Sequence, residues 1–395
     1  MNELNAQNYD ALLKEKAATI EQLFSEVNTP KLHVFASPEK HFRMRAEFRI
    51  WHTGDTLNYV MFKKGEKNTP INIYEFPNAS EIISRVMNPL LEAIQKQEIL
   101  SHKLFQIDFL STTTNQLLIT LLYHKPLDES WETAATTLHD NFSKPTNLES
   151  FNDASNQTSI KSPIESLSII GRARKQKIVI NQDFVIENMR INEHLYQYQQ
   201  VENSFTQPNA HICEQMLNWA VSNTKATANN GNGNNDLLEL YCGNGNFTLP
   251  LSKNFNNVLA TEVSKTSVKS AQYNIALNKI DNVNMVRLSS EELTQALNKT
   301  REFRRLANID LDNYQFRAVF VDPPRAGLDD ETLKLVSQFD MIIYISCNPS
   351  TLIENVKNLT QHTITEFALF DQFPFTDHIE SGVILRKSKT FPAKE

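Results

Sequence analysis

Hydrophobic positions in the first half of the chain follow two periods. Apolar side chains at helical spacing predict helices over residues 9–27, 79–96 and 129–142. Alternating or β-rich runs predict strands at residues 32–36, 42–52, 56–62, 105–110, 116–123, 167–170 and 177–180. In the second of these strands, large apolar side chains alternate with Arg43, Arg45 and Arg49. That pattern is typical of an antiparallel strand with one buried face and one basic face.

Short apolar runs and helical stretches take turns in the second half. The predicted strands are residues 237–241, 258–261, 283–287, 318–321, 341–345, 366–370 and 382–386, with helices at 208–222 and 265–278. This alternation predicts a doubly wound, mostly parallel sheet. We therefore predict two domains, residues 1–190 and 191–395, which meet near residues 185–205. Polar residues 142–166 and 223–236 are predicted surface loops.

Composition narrows the class of protein. The 395 residues are 40 % hydrophobic and 22 % charged, and we find no apolar run that could span a bilayer. The first twenty residues lack an apolar signal core, so we expect a cytoplasmic protein with no membrane partner. Three cysteines cannot supply four thiolates, and no Cys-x-x-Cys pair is present. We expect a monomer without a metal or an iron–sulfur cluster.

Charge is distributed unevenly along the chain. The net charge is −7, yet residues 31–70 and 171–177 each carry a net charge of +4. Such asymmetry indicates either a local footprint for a polyanion or simply solvated basic faces.

A glycine pair follows the first strand of the second half, in Cys242-Gly-Asn-Gly-Asn-Phe247. Glycines there allow a tight turn and a close approach of backbone to ligand. Glu262, after the next strand, is placed to accept hydrogen bonds from the ribose hydroxyls of an adenosine cofactor. Thr248 stands where a dinucleotide site has a third glycine, which favours S-adenosylmethionine over NAD. A plain turn is the alternative reading.

Asp322 precedes two prolines and Arg325 at the end of another strand. The prolines make a rigid corner, and doubly wound sheets bind ligands at this edge. Such corners hold planar bases in nucleic-acid methyltransferases. Because Arg325 occupies the position of a stacking aromatic residue, methylation of an amino group is disfavoured. A rigid loop without a ligand is the alternative.

Cys347 follows a buried strand and precedes Asn348 and Pro349, which predict a helix start. A helix N-terminus favours thiolate, so Cys347 is the candidate nucleophile, whereas Cys213 and Cys242 are expected to be buried and inert. Thiolate addition at C6 of a pyrimidine activates C5 for methylation, after which a base must remove the C5 proton. Asp377, His378 and Glu380 are the candidates for that base.

Several motifs together carry a resemblance to a known family. The chain resembles the RNA uracil-5 methyltransferases, and the bacterial tRNA enzymes that make ribothymidine are the closest branch. The resemblance implies a Rossmann-like class I methyltransferase sheet and an N-terminal α+β RNA-binding domain, mainly antiparallel. The motifs are Ser204-Phe-Thr-Gln-Pro-Asn209, Glu239-Leu-Tyr-Cys-Gly-Asn-Gly-Asn-Phe247, Val321-Asp-Pro-Pro-Arg325, Tyr344-Ile-Ser-Cys-Asn-Pro349 and His378-Ile-Glu-Ser-Gly382.

The resemblance also implies residue roles. Cys347 matches the nucleophile and Glu380 the base that takes the C5 proton. Contacts to S-adenosylmethionine are implied for Gln207, Tyr241, Asn246, Glu262 and Asp322.

The implied substrate is uridine 54 in the T-arm of tRNA, flipped into the pocket, with the T-loop of tmRNA as a second substrate. The alternative is a ribosomal-RNA uracil-5 methyltransferase, and two rivals are a nicotinamide-dependent oxidoreductase and a catalytically silent RNA-binding protein. Phe42, Phe48 and Trp51 are assigned to the core. The candidates for contact with the RNA backbone are Arg43, Arg45, Arg49, Lys63, Lys64 and the basic cluster at 172–177.

Overall fold

The computed structural model describes residues 6–62, 65, 69–144, 164–225 and 235–388. The chain forms two compact units. The eight-strand unit takes Met1–Glu39, Met189–Tyr198 and His211–Glu395, and the seven-strand unit takes Lys40–Asn188 and Gln199–Ala210. No helix in the described part of the chain is both long enough and apolar enough to cross a membrane.

Strands and helices agree closely with the hydrophobic pattern. The strands are β1 (His33–Phe35), β2 (Arg45–Thr53), β3 (Thr56–Phe62), β4 (Pro70–Asn72), β5 (Leu104–Ser111), β6 (Gln116–Tyr123), β7 (Ser166–Ala173), β8 (Gln176–Ile180), β9 (Phe184–Ile191), β10 (His194–Val201), β11 (Asp236–Leu240), β12 (Val258–Thr261), β13 (Val283–Val286), β14 (Phe316–Val321), β15 (Met341–Ser346), β16 (His362–Phe370) and β17 (Glu380–Lys387). The helices are α1 (Ala6–Leu23), α2 (Glu81–Gln95), α3 (Glu98–Ser101), α4 (Glu129–Ser143), α5 (Ala210–Thr224), α6 (Thr248–Leu251), α7 (Lys265–Leu277), α8 (Ser290–Leu297), α9 (Asp330–Val336) and α10 (Pro349–Asn358).

The eight-strand unit is built on one mixed sheet in the order β1-β16-β17-β15-β14-β11-β12-β13. All neighbours run parallel except β17, which is antiparallel to both β15 and β16. The central strands β11, β14 and β15 are almost entirely buried, because helices cover both faces of such sheets. The predicted doubly wound, mostly parallel α/β sheet is confirmed.

The first 39 residues belong to the eight-strand unit, although the sequence prediction placed them in a domain of residues 1–190. Strand β1 pairs in parallel with β16, and the ring of Phe24 lies 4.8 Å from that of Phe367. The apolar face of α1 therefore packs onto the core of this unit, where Ile20 is fully buried. The helical periodicity predicted that α1 has an apolar face to bury, but it did not predict which unit would cover that face.

The seven-strand unit contains a sheet in the order β4-β3-β2-β5-β6-β7-β8. Every pair is antiparallel except β6 with β7, which confirms the predicted mainly antiparallel character. Along β2, Phe48 is buried and Arg49 is exposed, as the alternation predicts. Phe42 is also buried, but the assignment of Trp51 to the core is wrong. Trp51 is 43 % exposed because it falls on the polar face of β2.

The hairpin β9–β10 was not predicted, and its residues are divided between the two units. It occupies the segment in which the sequence placed the domain boundary. Most of the predicted loop at 142–166, the central part of the loop at 223–236, and the candidate RNA contacts Lys63 and Lys64 lie outside the described residues.

Candidate functional site

The carboxyl ends of four parallel strands place most of the predicted site residues at one edge of the eight-strand sheet. Tyr241 follows β11, Glu262 follows β12, Asp322 follows β14 and Cys347 follows β15. Parallel strands present these ends on the same side, where doubly wound sheets bind ligands. Two further predicted residues, Asn246 and Glu380, belong to the same unit. Gln207 lies in the Gln199–Ala210 segment of the seven-strand unit.

The loop after β11 has the left-handed backbone that its glycines allow. Gly243 and Gly245 have φ angles of 58° and 85°, and Tyr241 has a φ of 60°. A left-handed tyrosine is uncommon and marks a conformation imposed by its surroundings. A Cβ atom on Gly245 would lie 2.9 Å from a methyl carbon of Leu249, whereas one on Gly243 would meet no described atom within 4 Å. The loop is therefore closely packed against Leu249 at Gly245, whereas there is open space beside Gly243.

Glu262 is oriented by backbone N–H groups. Its carboxylate accepts hydrogen bonds from the N–H groups of Gly243 at 3.1 Å, Val263 at 2.7 Å and Ser264 at 2.7 Å. A carboxylate has about four acceptor positions, so one remains for a ligand hydroxyl. The side chain is thus fixed beside the open part of the loop. Binding both ribose hydroxyls at once would require one of the three N–H groups to be displaced.

Two more side chains hold the loop in place. The hydroxyl of Tyr241 lies 3.0 Å from that of Ser290. The Nδ2 atom of Asn246 lies 3.4 Å from the sulfur of Cys213, and the hydroxyl of Tyr198 donates to the Asn246 carbonyl at 3.0 Å. Cys213 and Cys242 are both buried, which agrees with their predicted structural role.

The corner at Asp322 is fastened to helix α10. The carbonyl oxygen of Arg325 accepts a hydrogen bond from Asn348 Nδ2 at 3.0 Å. Further along, Asn355 Oδ1 accepts from the Leu328 N–H at 3.0 Å and from the Tyr344 hydroxyl at 2.8 Å. These bonds and the two prolines leave the corner little freedom, so Asp322 has a defined position relative to Cys347.

Cys347 and Glu380 lie at adjoining ends of two antiparallel strands. The register pairs Ile345 with Gly382 and Ser346 with Ser381. One further step along the same register places Cys347 opposite Glu380, and side chains at opposed positions lie on the same face. Asn348 caps α10, with its Oδ1 accepting from the Ser350 N–H at 3.2 Å. The β15–β17 register therefore brings the candidate nucleophile and the candidate base together.

Burial and mutual repulsion weaken ionisation throughout this cluster. Desolvation raises the pKa of Asp322 to about 7. The pKa of Glu380 is raised well above its usual value, by burial first and by the charge of Asp322 second. Burial, Glu380 and Asp322, in that order, raise the pKa of Cys347. Closely spaced acidic groups that compete for ionisation are a common property of active sites.

The raised pKa of Cys347 corrects one expectation. The sequence predicted that the helix N-terminus would favour thiolate, but Cys347 precedes the cap residue Asn348, and burial, followed by the neighbouring carboxyl groups, outweighs the helix. In the absence of ligands the cysteine is therefore a thiol at neutral pH, and its proton must leave when it attacks.

The three candidate bases differ in position. Glu380 is 5 % exposed, whereas Asp377 is exposed and turned toward solvent. The Nε2 atom of His378 lies 4.0 Å from Glu380 Oε2. Glu380 alone is both buried and opposite Cys347.

A second cluster lies on the seven-strand unit and was missed by the sequence analysis. The rings of Phe105 and His124 stack at 3.9 Å, and the guanidinium of Arg49 lies 5.4 Å from the centre of the Phe105 ring. Phe105 and His124 border an open pocket of about 610 Å³, which is also lined by Arg174 and Lys125. Alternation alone would place Phe105 on the buried face of β5 with Ile107 and Phe109, and the register shift between Leu104 and Gln106 leaves it partly exposed instead.

Several predicted RNA contacts are already paired within this unit. Arg172 makes two hydrogen bonds to Glu202, and Lys177 lies 2.7 Å from Asp183. Arg45 bonds to Glu47 at 3.0 Å. Arg174 lines the pocket of Phe105 and His124, and Arg49 lies against the Phe105 ring.

Comparison with known proteins gives consistent results. A family described as tRNA (Uracil-5-)-methyltransferase matches residues 8–388. The chain is 53 % identical to a tRNA/tmRNA (uracil-C(5))-methyltransferase of Cellvibrio japonicus over 380 residues, 96 % of each chain. It is 50 % identical to the protein of the same name from Shewanella sediminis over 385 residues, 97 % of this chain and 98 % of the relative.

Among solved structures, the Pyrococcus abyssi tRNA (uracil-54, C5)-methyltransferase in complex with S-adenosyl-L-homocysteine resembles this chain with a TM-score of 0.67. The identity is 21 %, and the match covers 96 % of this chain and 83 % of that one, which supports the fold. Within the described ranges, no three His, Cys, Asp or Glu side chains are grouped so that they could hold a metal ion.

Proposed function

Since the chain belongs to the tRNA (uracil-5-)-methyltransferase family, we propose that it methylates C5 of the T-loop uridine at position 54 of tRNA, with S-adenosylmethionine as donor. The T-loop of tmRNA is the second proposed substrate, because it presents the same chemical target. The observation that carries the mechanism is the β15–β17 register, which sets Cys347 opposite Glu380.

The loop after β11 fits an adenosine-containing donor. Open space above Gly243 admits a ligand close to the backbone, and Glu262 offers an oriented acceptor to a ribose hydroxyl. We assign Tyr241, Asn246 and Asp322 to the same site, and Gln207 to it by family membership. When bound, the donor supplies an electrophilic methyl group on a sulfonium centre.

Cys347 provides the nucleophile. Its thiol gives its proton to water, and the thiolate sulfur bonds to C6 of the uracil as the C5–C6 π bond opens. The ring thereby gains electron density at C5, which then attacks the methyl group. Because carboxyl groups and burial hold the pKa of this thiol high, the thiolate is scarce before substrate binds. Addition is therefore confined to a correctly seated base.

Glu380 completes the reaction as the base. The methylated ring carries both a methyl group and a proton at C5. Glu380 takes that proton, the C5–C6 double bond re-forms, and the Cys347 sulfur leaves. Its buried position opposite the sulfur suits a group that acts on the adjacent ring carbon.

Two substitutions test these roles. Cys347→Ala should abolish methylation of a T-arm transcript and also the covalent adduct with RNA containing 5-fluorouridine. Glu380→Gln should still form the adduct with ordinary RNA but should release product slowly, so that the methylated adduct accumulates. Asp377→Asn is the matched control and should behave as the unaltered enzyme. Normal turnover by Glu380→Gln would require another base.

We further propose that the Phe105–His124 cluster holds RNA, with Arg49 and Arg174 against the phosphates. Aromatic faces stack on unpaired bases, and each such contact contributes about 1–3 kcal/mol. Phe105→Ala should weaken T-arm binding by about that amount. Tyr74→Ala, which removes an exposed aromatic ring outside this pocket, should leave binding unchanged. Equal affinities of the two variants would argue against the cluster.

A further inference from the structure

The base of the proposed reaction has a half-exposed histidine beside it. His378 Nε2 lies 4.0 Å from Glu380 Oε2, and the His378 side chain is 29 % exposed whereas that of Glu380 is 7 % exposed. The imidazole ring stands edge to face with Phe373 at 4.8 Å. Neither ring nitrogen has a hydrogen-bond partner among the described residues. His378 is therefore positioned between the buried carboxyl and solvent, with both nitrogens available.

Each turnover leaves a proton on Glu380 that must be removed. The ionisable groups that interact with Glu380 inside the cluster are Asp322 and Cys347, whose own pKa values are raised. Passing the proton to either of them would keep it inside the cluster, and a proton returned to Cys347 would oppose its next addition. A route from Glu380 to water is needed, and His378 is a partly exposed titratable side chain that lies next to this carboxyl.

We propose that His378 carries the proton of Glu380 to solvent and so restores the base after each turnover, an inference that rests on the proposed function. The carboxyl O–H bond breaks as the imidazole Nε2 lone pair takes the proton, giving a carboxylate and an imidazolium. The imidazolium then loses its Nδ1 proton to water. The remaining gap of 4.0 Å is closed by a small rotation of the histidine side chain.

The surroundings of His378 favour the neutral form of its imidazole ring, whose lone pair is then free. Burial lowers the pKa of His378, and the positive charges of Arg325 and Lys16 lower it further. Lys16 also holds the start of this loop, because its Nζ bonds to Asp371 Oδ1 at 2.7 Å and to the Phe373 carbonyl at 3.0 Å. The neutral imidazole keeps a free lone pair for the proton, and although the lowered pKa makes protonation less favourable, the same cations favour prompt release of the proton to water.

The test separates proton removal from earlier steps. His378→Gln and His378→Ala are compared with the unaltered enzyme in multiple turnovers on a T-arm transcript. We expect kcat to fall by about 10-fold or more, within the range of general acid–base effects, with KM for RNA nearly unchanged. Added imidazole should restore the rate of His378→Ala. The variants should trap 5-fluorouridine RNA as fast as the unaltered enzyme does, because that substrate has no C5 proton to remove.

Each outcome decides the proposal. A kcat near that of the unaltered enzyme in both variants, or a slow variant that imidazole does not restore, would overturn it. Slow trapping of 5-fluorouridine RNA by both variants would also overturn it, because His378 would then be needed before proton removal. If the unaltered enzyme methylates no T-arm transcript, it is the proposed function that fails.

Discussion

Glu239 gives the sharpest physical prediction, because it is a fully buried carboxyl in the middle of the sheet. It lies on β11 between Ala260 of β12 and Phe320 of β14, and the Thr248 side chain near it offsets only part of the effect of burial. Burial raises its pKa to about 8. The folded protein therefore keeps this proton at neutral pH, whereas the unfolded chain loses it above the ordinary glutamate pKa of 4.5.

The sign and size of the effect follow from that difference. A carboxyl whose folded pKa is raised makes folding less favourable as pH rises from the unfolded to the folded pKa, and the loss is constant above both. At about 1.4 kcal/mol per unit, the whole loss is about 5 kcal/mol. Glu239→Gln removes the titration, so its stability relative to the unaltered enzyme should rise with pH, by about 4 kcal/mol between roughly pH 5 and 9.

Urea titrations of the two proteins at several pH values measure this directly. A constant offset from the amide itself does not matter, because only the change of the difference with pH is used. Glu354→Gln, at an exposed position on α10, controls for the exchange of a carboxylate for an amide. A difference between Glu239→Gln and the unaltered enzyme that stays constant with pH would refute the reasoning.

Two further predictions concern charged side chains of the eight-strand unit, Lys16 and Asp322. Lys16→Met should lower the free energy of unfolding by about 3 kcal/mol, because it leaves the buried Asp371 carboxylate without its cation. Lys299→Met removes a pair whose side chains are 71 % and 69 % exposed, so urea titration should show no measurable loss of stability, and equal losses in the two variants would contradict the argument. Asp322→Asn should lower the pKa of Cys347 by removing a neighbouring negative charge, and iodoacetamide should alkylate this thiol faster at neutral pH. An unchanged alkylation rate would show that Asp322 does not influence the ionisation of Cys347.

Local chemistry in the sequence predicted most of the eight-strand sheet and its edge. The buried runs at β11, β14 and β15 are continuous and apolar, and the polar residues that follow them must lie at one edge once the strands are parallel. The proximity of Cys347 and Glu380 could not be derived from spacing, because it depends on the antiparallel register of β17 against β15. That role for Glu380 came from resemblance, and the register now gives it a physical basis.

Other features depended on long-range structure. The raised pKa of Cys347 reflects burial first and then carboxyl groups from distant positions in the chain, whereas the sequence showed only the adjoining helix start. Periodicity likewise does not predict contacts between residues that are distant in sequence. Examples are the packing of α1 on the eight-strand unit and the pairing of Arg172 with Glu202. The exposed position of Trp51, by contrast, follows from simple alternation and could have been predicted from the strand pattern alone.

The pairing of β1 with β16 has a consequence for synthesis on the ribosome. Residues 33–35 are made early, but their partner at 368–370 emerges only after more than three hundred further residues have been translated. The strands of the seven-strand sheet lie between the two, so that sheet can form while the amino-terminal strand still waits. A chain stalled or cut before residue 362 would leave β1 without its partner strand and Phe24 without Phe367, as apolar surface open to chaperones and proteases.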